Sequence, residues 1–138
     1  MNDQELIEEA KSWQGTPWKH GIAIKGYGAD CVQWLVTLGK DAGLISPDYK
    51  TIKYHQDWAM HNSHSVLEEE LKKIAYQIKK EEMQLCDIIV VRYGKCGSHA
   101  ALYIGGGKII HAYLKSSIRE DNLKMFGKRI TSVWRLKG

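Results

Sequence analysis

No apolar run in the sequence approaches the roughly 18 residues that a bilayer-crossing helix needs, so a membrane span is not expected. The opening residues, MNDQELIEEAKSW, lack the basic and apolar regions of a signal peptide. Synthesis in the cytoplasm without export is the resulting expectation. Cysteine is scarce, and the three at positions 31, 86 and 96 cannot all pair. An odd count without a signal peptide points to free thiols. Cys96 lies close to His99, but no second close pair of Cys or His completes a zinc set, so no metal is expected. Internal repeats, low-complexity tracts and linkers are also missing. The 138 residues suit one domain, 1–138, around one core.

What is present argues for a packed globule: 43% hydrophobic residues and five tryptophans. The net charge is +4. Lys108, Lys115, Arg119, Lys124, Lys128, Arg129, Arg135 and Lys137 are scattered through strand-like and loop-like segments. They read as solvated surface rather than a nucleic-acid face, although a mild positive field favours an anionic substrate.

Asn2 and Glu5 predict a capping box opening a helix whose buried stripe is Leu6, Ile7, Ala10 and Trp13. Residues 15–29 hold four glycines and a proline without periodicity, a loop long enough to be functional. Asp30 predicts the cap of a second helix, with Cys31, Trp34, Leu35, Leu38 and Ala42 on one face and Gly43 closing it. His61 and His64 lie in a stretch without clear pattern and read as exposed. Ser65 and Glu68 predict a third helix running to about Lys80. From Leu85 the period shifts, and CDIIVVRY, HAALYI, KIIHAY and ITSVWRL read as four strands. Helices first and strands second predict an α+β fold with an antiparallel sheet.

Cys31 at a helix start would lie near unpaired backbone N–H groups, which stabilise thiolate and can receive an acyl oxyanion. The same residue also fits the start of an apolar stripe, and this segment alone leaves both readings open. His99 opens the HAALYI strand and can serve as its base. His111 lies twelve positions on, across a GGG turn. If Ile104 faces Lys108 across a three-residue loop, the two histidines become diagonal neighbours on one face, about 7–8 Å apart at Cβ. A two-residue loop would put them on opposite faces. In the first register His111 can bond the ring nitrogen of His99 that faces away from sulfur, as the third member of a triad does.

With these residues in place, the sequence resembles the NlpC family of cell-wall peptidases, cysteine hydrolases with a compact papain-like fold. The likeness covers almost the whole chain: WQGTPWKHG, ADCVQW, CDIIVV and SHAALYIGGGKIIHA each resemble a family segment, in family order. The resemblance implies that Cys31 is the nucleophile, His99 the general base and His111 the orienting residue, with Asp30, Trp18 and Ser98 on the substrate side. It implies no cofactor, and a peptidoglycan stem peptide as substrate, cut at the γ-D-glutamyl to diamino-acid bond. The loop from Thr16 to Cys31 and the IIHAY ending look most like phage and prophage members, implying tail proteins as partners and a virion or lysis route outward. Three positions depart from the family: Val32 replaces a serine, Trp18 a tyrosine and Cys86 a glycine. The first two leave open a catalytically weak tail-assembly module of the same fold, or the same triad acting on another acyl substrate.

Overall fold

A computed structural model describes residues 1–51, 54, 65–93 and 96–138, with Cys96 described by its backbone alone. His61 and His64 lie outside these residues. Helix α1 (Asp3–Lys11) opens with the capping box of Asn2 and Glu5 and buries Leu6, Ile7 and Ala10. The short strands β1 (Ala23–Ile24) and β2 (Gly28–Ala29) pair within the glycine-rich loop. Helix α2 (Cys31–Asp41) follows, its first turn capped by the Asp30 carboxylate. Among the described residues, no helix is long and apolar enough to cross a membrane.

Helix α3 (Val66–Ile74) starts at Ser65 as expected but ends six residues short of Lys80. Ala75 turns to an extended conformation, and β3 (Ala75–Ile78) pairs with β8 (Ile130–Leu136), setting Ile78 opposite Val133. Tertiary pairing here overrides a helical period that the apolar positions also satisfy. The remaining strands are β4 (Ile88–Tyr93), β5 (Cys96–Gly105), β6 (Lys108–Ala112) and β7 (Ile118–Asn122). A 3-10 segment, Leu123–Arg129, joins β7 to β8. The sheet is six-stranded, ordered β3-β8-β4-β5-β6-β7, and its pairs are antiparallel. Four of these strands, β4, β5, β6 and β8, are those that the sequence predicts. β7, with the sequence IREDN, is a charged edge strand without the expected apolar alternation.

Alternate residues of the central strands supply two cores. Ile88, Val90, Ala100, Leu102 and Ile110 pack with α1, α2 and α3. Ile89, Val91, Ala101 and Ile109 pack with Phe126 of the 3-10 segment. Burial on both faces is why β4 reads as an unbroken apolar run. Asp87, 1% exposed, is held at the start of β4 by Arg135 Nε and Nη2, both at 2.9 Å.

Cys86, which replaces a family glycine, adopts φ +70°, the left-handed region. Its buried thiol donates to the Asp3 carbonyl at 3.5 Å. A Cβ in this conformation costs about 1 kcal/mol, and glycine escapes it. Cys86→Gly is therefore expected to be more stable than Cys86→Ala by about 1 kcal/mol, measured by paired urea denaturation. The opposite order would show that the backbone conformation carries no strain.

Candidate active site

The β5–β6 hairpin brings the two histidines together. Leu102 faces Ile110 and Tyr103 faces Ile109, the predicted register, but the turn reaches it differently. Gly105 pairs with Lys108 and the ladder shifts at Ile104, so a two-residue turn plus a one-residue bulge replaces the three-residue loop. Gly105, Gly106 and Gly107 all have positive φ, which this tight reversal requires. The extra residue restores the parity that a plain two-residue turn would have lost. His99 Nε2 consequently lies 2.8 Å from His111 Nδ1.

A second bulge shapes the entry to β5. Val91 faces His99 but Arg92 faces Gly97, leaving Ser98 as the extra residue. Ser98 Oγ donates to the Tyr93 carbonyl at 2.8 Å and so closes the bulge. The His99 ring stacks on Tyr93 at 4.9 Å between centroids and meets Phe126 edge-on at 6.1 Å. Both histidines are buried, at 3% exposure for His99 and 0% for His111.

The pair continues into a carboxylate. His111 Nε2 lies 2.8 Å from Asp121 Oδ2, and Arg119 holds Asp121 with Nε on Oδ2 at 2.7 Å and Nη2 on Oδ1 at 3.1 Å. Burial opposes ionisation of Asp121, but the bonds from Arg119 and His111 keep its carboxyl below the usual value. An ionised carboxylate only accepts, so the His111 proton is on Nε2. Nδ1 of His111 then accepts from His99 Nε2–H, which leaves a lone pair on His99 Nδ1. Among the described residues His99 Nδ1 has no hydrogen-bond partner, so its lone pair is available.

Cys31 is the first residue of α2 and 8% exposed. The N–H of Ala100, next to His99 on β5, lies against its sulfur, as do the N–H groups of Cys31 and Val32. No hydrogen bond joins Cys31 to His99 among the described contacts. Gln33 N–H is taken by Asp30 Oδ1 at 2.8 Å, so the free donors of the first turn are those facing the sulfur.

Protonation differs from the expectation at Cys31. Burial, with Asp30 behind it, pushes the thiol up to about 12, outweighing the backbone N–H groups. Burial also brings His99 down to about 3, helped by His111 and Arg129. The resting site is a neutral thiol and a neutral imidazole, not the thiolate that a helix start alone suggests.

This has a consequence for stability. An unfolded histidine takes up its proton near pH 6.5, whereas folded His99 stays neutral down to about 3. Between these values the unfolded state binds more protons, so stability falls as pH drops and levels off below both. The expected slope is up to about 1.4 kcal/mol per pH unit for His99. His111, also lowered by burial, adds to it. Urea midpoints from pH 7 to 4 test this, and a His99→Phe variant should show a shallower slope.

The residues assigned to the substrate side fall into different settings. Asp30 is 4% exposed and accepts three bonds: beyond its cap, Oδ2 accepts from Gly21 N–H at 2.7 Å and Tyr54 O–H at 2.6 Å. His20 packs edge-on against Tyr54. Trp18 is half-buried against the first core, and its backbone N–H donates to the Ser116 carbonyl at 2.9 Å. Three residues around the site were missed from the sequence. Tyr54 brings its hydroxyl onto the Asp30 carboxylate, the residue before Cys31, from a stretch with no periodic signal. Tyr93 supplies the ring beneath His99, at the end of a strand whose pairing was legible. Asp121 lies on the strand that was not recognised, although one more diagonal step across the sheet would have found it. No group of histidine, cysteine and carboxylate side chains suited to a metal ion occurs among the described residues.

An α+β chain with a helix-start cysteine beside a histidine hairpin has the layout of a compact cysteine-hydrolase fold. The NlpC/P60 family model matches residues 12–135, and the chain belongs to that family. Solved structures agree on the fold. A NlpC/P60 family protein from Bacillus cereus superposes with a TM-score of 0.70 at 24% identity, covering 100% of this chain. This chain spans only 41% of that protein's length. The NlpC/p60 domain of the peptidoglycan hydrolase SagA gives 0.69 at 16% identity, covering 99% of this chain and 100% of that one. RipD from Mycobacterium tuberculosis, described as non-catalytic and adapted to peptidoglycan binding, gives 0.63 at 12%, covering 100% and 99%. No curated protein matches the sequence.

Proposed function

We propose that this protein is a cysteine peptidase that hydrolyses peptidoglycan stem peptides, at the γ-D-glutamyl to diamino-acid bond. The observation that carries the reading is the hydrogen-bonded line from His99 through His111 to Asp121, which leaves His99 Nδ1 without a bond on the same strand whose Ala100 N–H lies against the Cys31 sulfur. On substrate binding, His99 Nδ1 takes the Sγ proton as sulfur attacks the carbonyl carbon. The N–H groups at the start of α2 receive the oxyanion. Collapse breaks the C–N bond, and His99 returns its proton to the leaving amine. Water, deprotonated by His99, then attacks the thioester and releases the acid and the thiol. A neutral resting pair suits this sequence, because the proton moves only when substrate has displaced water.

SagA, called a peptidoglycan hydrolase, supports the substrate class. The phage-like loop from Thr16 to Cys31 supports delivery with a tail or at lysis. The second reading, a non-catalytic wall-binding module, is favoured by the buried Cys31 without a bond to His99 and by the precedent of RipD. Mass analysis of purified muropeptides separates the two. Turnover gives two fragments that together carry one added water; unchanged muropeptides that nevertheless co-sediment with the protein would favour the binding module.

A further inference from the structure

The polar line crosses three neighbouring strands by equal steps. His111 faces Arg119 across β6 and β7, so Asp121 is its diagonal neighbour, as His111 is to His99 across β5 and β6. We propose that Asp121 is a fourth member of the catalytic line, a positioning residue that selects the tautomer of both histidines through His111. The proposal rests on the reading of Cys31 as a nucleophile served by His99.

Three observations carry it. His111 is fully buried, so no water competes for its ring, and both its nitrogens are engaged within the protein. Asp121 Oδ2 accepts from His111 and Arg119 together, and the bidentate clamp fixes the carboxylate so that the shared oxygen stays on the ring. Arg119 is in turn steadied over the Tyr113 ring, 4.8 Å from its centroid, and Tyr113 stacks on His111 at 5.1 Å. With both buried rings neutral, only one arrangement of protons satisfies all these contacts, and it is the one that leaves His99 Nδ1 unprotonated. Without the carboxylate, the Nε2–H of His111 would be a buried orphan donor. Moving that proton to Nδ1 would relieve it, turn the His99 bond around and put a proton where the lone pair is needed.

Asp121→Leu removes the acceptor while keeping the branching at Cγ, and Asp121→Asn keeps an oxygen for His111. The wild-type protein is expected to show His111 protonated at Nε2 and His99 at Nε2 in ring-nitrogen NMR spectra. The leucine variant should shift both rings toward Nδ1–H. Iodoacetamide labelling of Cys31, counted per folded molecule by peptide mass analysis, should slow roughly tenfold. Muropeptide turnover should lose kcat by a similar factor with KM little changed, and asparagine should recover most of both rates. Wild-type His111 protonated at Nδ1 would overturn the proposal, and this observation needs no variant to fold. So would a leucine variant that loses thermal stability yet keeps its tautomers and its labelling rate. If labelling follows Asp121 while muropeptides stay intact even with the wild type, the positioning role stands and the peptidoglycan reading falls.

Discussion

Cys31→Ala is expected to abolish muropeptide cleavage, lowering kcat by about 10⁴-fold or more, without unfolding the protein. The thioester cannot form without sulfur, and the helix-start N–H groups and bound histidines cannot supply a substitute nucleophile. The fold should survive, because Cys31 contributes one small side chain to a core that also holds Trp34, Leu35 and Leu38 of the same helix. Removing its sulfur costs about 1 kcal/mol in lost burial. Cleavage is followed by liquid chromatography and mass analysis, and folding by circular dichroism. Cleavage at the wild-type rate would show that Cys31 is only the first residue of an apolar stripe, the bland reading that its sequence context left open. The neutral resting thiol adds a condition: iodoacetamide labelling of Cys31 should rise toward alkaline pH instead of holding a plateau in acid, as a standing thiolate–imidazolium pair would.

The features that fixed the site in the sequence are those set by local rules. The caps at Asn2, Asp30 and Ser65 are short-range hydrogen bonds, and each occurs where the residue pattern put it. The histidine hairpin was legible because strand parity is a strict constraint, even though the turn attains it by a bulge at Ile104 rather than by loop length. What was not legible depends on distant partners. Ile74 and Ile78 satisfy a helical period, and only β8 decides that Ile78 belongs to a strand. Strand β7 has a polar exposed edge, so no apolar alternation marks it, and Asp121 went unseen with it. Tyr54 reaches Asp30 from 24 positions away, with no spacing rule to predict the contact. The protonation of Cys31 depends on distant partners in the same way. A helix start is a local feature, whereas the burial that dominates it comes from the whole fold.

Phe126→Ala is expected to cost about 3–5 kcal/mol of stability, the usual range for emptying a buried aromatic site. It should also slow catalysis by roughly tenfold per folded molecule, a loss of transition-state stabilisation near 1.4 kcal/mol. Phe126 is 1% exposed and sits in the 3-10 segment, where Gly127 (φ +54°) lets the chain turn back toward β8. Its ring meets His111 edge-on at 5.6 Å as well as His99, so it walls both imidazoles on the face of the sheet opposite the helices. In its absence the rings gain room to tilt, and a 2.8 Å bond between two imidazoles tolerates little tilt before His99 loses the partner that fixes its tautomer. Phe126→Leu separates the two effects. It keeps most of the packing, at a cost of about 1–2 kcal/mol, but offers no flat ring edge to the histidines. If the aromatic wall positions the base, kcat falls further for leucine than its modest loss of stability explains. If both variants keep wild-type kcat per folded molecule, Phe126 is core alone, and the strands by themselves hold the histidines in line.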